Sequence, residues 1–126
     1  MNKINLENKK ILVTGSAGFV GANLVLELLK TVSPVHIIGI DNLNEYYDIR
    51  LKDWRQEQIA LELSNHPEST FKFIKGDISD SDIINDIFNT EQPDIVVNLA
   101  AQAGVRYSIS NPEAYMSSNM IGFYNI

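Results

Sequence analysis

Three glycines do most to limit what this chain can fold into. They stand in the run Gly15-Ser16-Ala17-Gly18-Phe19-Val20-Gly21, with the apolar run Ile11-Leu12-Val13 just before it. From there on, Val20, Leu24, Val25, Leu28 and Leu29 recur at the i, i+4, i+5, i+8 spacing of an amphipathic helix. A buried strand therefore turns through glycines into a helix. At Gly15 only glycine turns sharply off the strand. At Gly18 the missing side chain lets a pyrophosphate approach the backbone, and at Gly21 it lets the helix pack close against the sheet. The helix start then presents unpaired N–H groups and partial positive charge, which suit phosphate. No Gly-Lys-Ser/Thr follows, which argues against a nucleoside-triphosphate loop. The same glycines would also serve a tight strand–helix turn that binds nothing.

Asp41 bears on that choice. It lies 20 positions after Gly21, at the end of a second apolar run, Val35-His36-Ile37-Ile38-Gly39-Ile40. An acid there accepts hydrogen bonds from the adenosine ribose hydroxyls and repels a 2′-phosphate, so the pattern favours NAD over NADP. A lone acid after a strand is otherwise a turn residue. Its coincidence with the glycines favours the ribose role.

The remaining chain repeats the alternation. Asp48 to Ser64 reads as a weaker helix with Leu51, Trp54 and Leu61 as its apolar positions, stopped by Asn65-His66-Pro67. Phe71–Ile74 is a third strand, and Gly76-Asp77 follows it. Ser79–Asp82 offers N-caps ahead of the Ile83, Ile84, Ile87, Phe88 stripe. Ile95-Val96-Val97 centres a fourth strand. Ala100 to Ser110 reads as a loop, and Asn111-Pro112 as an N-cap followed by proline at the first helical position. The last helical pattern runs through Met116, Met120 and Phe123 to Ile126 without a C-cap. Strands alternating with helices predict an α/β fold. It is a Rossmann-type doubly wound parallel sheet, incomplete, with about four strands in the order 3-2-1-4 and flanking helices. Continuous apolar runs predict strands covered on both faces.

Composition removes several function classes. Acidic residues outnumber basic ones 16 to 10, and no basic cluster offsets the net charge of −6, so neither nucleic acid nor anionic membrane is an expected partner. With no cysteine there is no disulfide, thiolate zinc site or cysteine nucleophile, and a cytoplasmic setting is expected. His36, inside a strand, and His66, in a turn, read as structural, and no His/Asp/Glu cluster has metal-binding spacing. Lys9 and Lys10 precede the uncharged stretch Ile11–Leu26. Thr14, Gly15, Ser16 and Asn23 interrupt it, so neither a signal peptide nor a membrane span is expected.

The spacing Gly-x-x-Gly-x-x-Gly resembles the extended short-chain dehydrogenase/reductase superfamily of nucleotide-sugar epimerases and dehydratases. Gly76-Asp77-Ile78, Asn98-Leu99-Ala100-Ala101, and Asn111-Pro112 with Tyr115, Asn119 and Gly122 match further blocks. Asn98 departs from the histidine the family often has there. Asp41-Asn42-Leu43-Asn44-Glu45-Tyr46-Tyr47-Asp48 and Ala100-Ala101-Gln102-Ala103-Gly104-Val105-Arg106-Tyr107-Ser108 are similar to UDP-glucuronate 4-epimerases and their capsule-biosynthesis relatives. The resemblance implies NAD as cofactor. Gly15, Gly18, Phe19, Val20 and Gly21 would hold its pyrophosphate, and Asp41 and Asn42 its adenosine ribose. Asp77 and Ile78 would flank the adenine; Leu99, Ala100 and Ala101 would line the nicotinamide side, with Asn119 in support. Asp77 has a plain alternative as a turn residue, and Asn119 as a helix-packing residue. Gln102, Arg106 and Ser108 would face the nucleotide sugar, where the Arg106 guanidinium could pair with a carboxylate or diphosphate; an exposed loop cation is the alternative.

In this superfamily a tyrosine with a lysine four residues later removes the sugar hydroxyl proton while hydride passes to NAD. The resemblance implies a 4-keto sugar that rotates and takes the hydride back on its other face. Here Tyr46 is followed four on by Arg50, Tyr47 by Leu51, Tyr107 by Asn111 and Tyr115 by Asn119, so no Tyr-x-x-x-Lys exists. The chain, residues 1–126, is thus expected to be the N-terminal part of an NAD-binding domain, without the catalytic segment or substrate domain and inactive by itself. A fourth strand left at a sheet edge predicts self-association or marginal stability. Two other readings stay open: the NAD-binding part of a dTDP- or GDP-sugar 4,6-dehydratase, and a non-catalytic dinucleotide-binding module.

Overall fold

The structure, a computed structural model, describes residues 4–126. Four strands, β1 (Lys10–Thr14), β2 (His36–Asp41), β3 (Thr70–Lys75) and β4 (Ile95–Asn98), pair in parallel in the order β3-β2-β1-β4. Register is continuous across the sheet: Leu12 lies opposite Ile38 on one side and Val96 on the other. The chain alternates these strands with α1 (Phe19–Thr31), α2 (Ile49–Leu63) and α3 (Ser81–Glu91).

The twofold alternation of a strand divides the core in two. Ile11, Val13 and Ile37 point to one face, where Val25, Leu28 and Leu29 of α1 and Ile59 of α2 cover them. Leu12, Ile38 and Ile40 point to the other, against Ile84 and Ile87 of α3. The central strands β1 and β2 are buried from their second residue onward. The outer strands depart from the expectation of full cover: β3 has exposed and half-buried positions with none buried, and β4 is half-buried throughout. Each has a neighbour on one side only.

The helix starts follow their caps. Asp48 accepts from the Arg50 amide to open α2, and Asp80 accepts from the Asp82 and Ile83 amides to open α3. The apolar face expected for α2 is corrected: Leu51, Trp54 and Leu61 are exposed, and Lys52 and Ile59, seven apart, turn inward. Val20 likewise leaves the α1 stripe and is 60% exposed at the helix start.

The segment read as a loop from Ala100 to Ser110 contains a short helix, α4 (Val105–Ser110), entered through Gly104 at φ 95°. Asn111 then caps α5 (Pro112–Tyr115) by accepting from the Ala114 amide. The helix widens into a π-helical segment, Met116–Ile121, and ends as α6 (Gly122–Asn125). Within it the Gly122 amide reaches back to the Ser117 carbonyl. Gly122 sits so near Ile78 that a Cβ there would lie 2.5 Å from the isoleucine side chain. His36 bonds Thr70 across the sheet and His66 bonds Glu62 along α2, both structural contacts.

Candidate dinucleotide cleft

The strand C-termini of a parallel sheet open on one edge, and the loops that leave them enclose a cleft of about 400 Å³. Its floor is the glycine loop. Gly15 adopts φ 67°, and a Cβ there would meet the Leu99 and Ala100 backbone at 3.0 Å. A Cβ on Gly21 would lie 2.1 Å from the Gly15 carbonyl oxygen, so α1 can start this close to the loop only with glycine at that position. Gly18 is the N-cap of α1 and offers no side-chain oxygen, so the first N–H groups of the helix lack a protein cap. Phe19, 72% exposed, and Val20 flank that open end.

Asp41 ends β2 and is 7% exposed. Its Oδ2 accepts from the Ala17 amide at 3.1 Å, and its Oδ1 from the Leu43 amide at 2.8 Å and from Lys52 Nζ at 3.2 Å. The carboxylate thus joins the glycine loop to the loop after β2. Asn42 beside it donates to Asp77 Oδ2 at 2.9 Å, tying that loop to the one after β3. Asp77 Oδ1 also accepts from the Ser79 amide and hydroxyl, so its turn role is present in full. Partial burial pushes the Asp77 carboxyl up, but hydrogen bonds from Asn42 and Ser79 outweigh it and hold it below its ordinary value.

The wall after β4 hangs on buried Thr14. Its hydroxyl donates to Asn98 Oδ1 and accepts from the Leu99 and Ala100 amides at 2.9 and 3.0 Å. Asn119, from the π-helical segment, grips the Gln102 backbone at both ends: Oδ1 accepts from its amide at 2.8 Å and Nδ2 donates to its carbonyl at 3.1 Å. Asn125 Nδ2 does the same for the Ile78 carbonyl at 2.9 Å.

Gly15, Gly18, Phe19, Val20, Gly21, Asp41, Asn42, Asp77, Ile78, Leu99, Ala100, Ala101 and Gln102 therefore all line one cleft. Asn119 acts on it through the Gln102 backbone. Arg106 and Ser108 are not brought in: both lie on α4 and line neither this cleft nor the smaller cavity beside it. Arg106 is exposed, and the Ser108 hydroxyl is spent on the Val105 carbonyl. Lys52, Arg55 and Ser118 also line the cleft and were not singled out from sequence, and Asn44, Tyr46 and Tyr47, quoted only within a motif, line it too. For Lys52 the helix pattern held no signal: its burial on the same face as Ile59 is a property of the folded chain. Among the described residues there is no cluster able to hold a metal ion, and no helix is long and apolar enough to cross a membrane.

Comparison with known proteins agrees with this geometry. Protein CapI of Staphylococcus aureus is 46% identical over 93% of this chain and 32% of its own length. UDP-glucuronate 4-epimerase 6 of Arabidopsis thaliana is 40% identical over 92% of this chain and 23% of its own. The UDP-glucose 4-epimerase of Thermus thermophilus, solved as a complex with NAD, superposes with a TM-score of 0.68 at 28% identity, over 92% of this chain and 32% of its own. The chain spans about a third or less of these proteins. The family model for GDP-mannose 4,6 dehydratase matches residues 12–126, a span that takes in the glycine loop, all three further strand-end loops and the π-helical segment, and the chain belongs to that family.

Proposed function

We propose that this chain is the NAD-binding part of a nucleotide-sugar 4-epimerase of the UDP-glucuronate type. The observation that carries the cofactor assignment is the uncapped start of α1, set against glycines whose Cβ positions are filled by backbone, with Asp41 at the neighbouring strand end. The residues present fit the dinucleotide. Gly15, Gly18 and Gly21 with the first turn of α1 would hold the pyrophosphate, and Asp41 and Asn42 the adenosine ribose. Asp77 and Ile78 would border the adenine, and Leu99, Ala100 and Ala101 the nicotinamide. When bound, the cofactor supplies a hydride acceptor. The chain's own residues bind and orient it, and they contain no Tyr-x-x-x-Lys to move the sugar proton, so this chain alone is expected to give no turnover.

The sugar assignment is supported by 40% identity to UDP-glucuronate 4-epimerase 6 of Arabidopsis thaliana over 92% of this chain. The name of the matching family model favours a second reading, the corresponding part of a 4,6-dehydratase. Of the three residues expected on the sugar side, Gln102 is the one that lines the cleft, which supports that role for it. Exposed Val105, Ile109, Phe123 and Tyr124 support self-association, and the absence of cysteine supports a cytoplasmic setting.

Two measurements test this. Calorimetric titration of the folded chain with NAD is expected to show one-to-one binding, and no binding would overturn the cofactor assignment. The protein that carries this segment, given UDP-glucuronate, is expected to form its C4 epimer. A 4-keto-6-deoxy product from a GDP- or dTDP-sugar would establish the dehydratase instead.

A further inference from the structure

Helix α2 buries an unusual residue for its position. Lys52 is 6% exposed, while Leu51 and Trp54 on the same helix are about half exposed. An ammonium is withdrawn from water only when it is paired, and its partner is the acid at the ribose end of the cleft. Lys52 Nζ donates to Asp41 Oδ1 at 3.2 Å and to Asn44 Oδ1 at 3.3 Å.

Counting valences shows what remains. A carboxylate accepts at about four lone-pair positions, and the Ala17 amide, the Leu43 amide and Lys52 occupy three of those on Asp41. An ammonium has three N–H groups, and Asp41 and Asn44 take two of those on Lys52. The pair is left with one acceptor and one donor, and both residues line the cleft. A vicinal diol, donating through one hydroxyl and accepting through the other, matches that remainder. Arg55, one turn further along α2, lines the same cleft, donates to the Ala17 carbonyl at 3.1 Å and lies 6.0 Å from the Phe19 ring centroid. The ribose end therefore carries two cations beside Asp41, with a second carboxylate, Asp77, reached through Asn42.

We propose that Lys52 is a specificity-determining residue: the Asp41–Lys52 ion pair, not the carboxylate alone, reads the adenosine 2′ position, and Lys52 with Arg55 softens the rejection of a 2′-phosphate. The proposal deepens the dinucleotide reading given above and rests on it. The charge at the site with Asp41 alone repels a phosphate; two cations alongside offset part of that repulsion, and each unit charge within a few ångström is worth about tenfold or more in affinity for the phosphorylated ligand.

The test is the ratio of NADP to NAD dissociation constants, measured by calorimetry on the chain; a general loss of affinity cancels in this ratio. Lys52→Met is expected to raise the ratio by about tenfold or more. Lys52→Arg, which keeps the charge, is expected to leave it within about threefold. Arg55→Gln strips no partner from a buried acid and is expected to raise the ratio in the same direction, so it decides the matter where Lys52→Met fails to fold. A ratio unchanged in both charge-removing variants overturns the proposal and leaves the cofactor assignment standing, as does undetectable binding of NADP to the unaltered chain. Failure of the unaltered chain to bind NAD overturns the assignment and the proposal together.

Discussion

Gly21→Ala sets two effects of opposite sign against each other. Alanine in place of glycine inside a helix is intrinsically favourable by about 1 kcal/mol. Against that, the new Cβ would stand 2.1 Å from the Gly15 carbonyl oxygen, 2.8 Å from the Gly15 carbonyl carbon and 3.0 Å from Ser16 Cα. All three are backbone atoms, so no side chain can swing aside, and α1 must retreat from the loop by about 1 Å to restore ordinary contact. Such a retreat loosens Val25 and Leu29, both fully buried against the sheet. Overpacking of this kind costs about 1–3 kcal/mol, and the rigid neighbours place it at the upper end. The net expectation is a loss of about 2 kcal/mol, which in urea moves the unfolding midpoint down by about 1 M. Gly18→Ala is the control. Its Cβ would meet only the Gly15 carbonyl oxygen, at 3.1 Å, so it should unfold within about 1 kcal/mol of the unaltered chain yet bind NAD more weakly. A Gly21→Ala midpoint equal to or above that of the unaltered chain would mean that close packing is not why glycine stands there.

Three further outcomes are expected. Asp41→Ala weakens NAD binding more than NADP binding in parallel titrations; equal losses would remove the carboxylate from the ribose site. Thr14→Val keeps the shape but strands the Leu99 and Ala100 amides without their acceptor, so thermal unfolding should show a loss of about 2 kcal/mol and hydrogen exchange should quicken at those two amides. The Asp77 carboxyl is held below its unfolded value of about 3.9, so its stabilisation is fully present above that pH and is lost as pH falls through the lower folded value. Asn42→Ala removes one of the donors and should raise the carboxyl pKa of Asp77, read by carboxyl-carbon NMR; an unmoved titration would show that Asn42 contributes nothing.

Much of this was legible in sequence because the strands are short apolar runs bounded by polar turns. Ile11-Leu12-Val13 and Ile95-Val96-Val97 lie within one residue of the observed ends of β1 and β4. Four loops leaving strand C-termini then had to converge, which is why residues as distant as Gly15, Asp41, Asp77 and Leu99 line one cleft. Where local pattern and tertiary partner disagreed, sequence failed. The inward face of α2 is decided by Asp41, which captures Lys52, and no periodicity within Asp48–Ser64 encodes that capture. Helix α4 is a single short element entered through a left-handed Gly104, and its six residues carry no buried side chain to announce it. Arg106 on that helix is exposed and lies outside the cleft, the exposed cation that stood as the alternative to the sugar-side role its family resemblance implied. The π-helical widening ends in a backbone bond from the Gly122 amide to the Ser117 carbonyl, where Gly122 is pressed against Ile78.

The strand order has a kinetic meaning as well. Three strands add outward in sequence, β1 to β2 to β3, and the fourth returns to the far side of the first. The β1–β2 pair joins Thr14 to Ile40, whereas the β1–β4 pair joins Thr14 to Asn98, across a loop of 84 positions. Closing the longer loop costs more entropy and waits on more chain, so β4 is expected to dock last, during synthesis as well as on refolding. The cleft wall proposed to border the nicotinamide arrives with it, since Leu99 and Ala100 are held by Thr14 only once β4 is seated. An intermediate with three strands would already own the glycine loop and Asp41 and could capture the adenosine half of the dinucleotide. The cofactor would then act as a template, drawing the last strand onto an edge prepared for it.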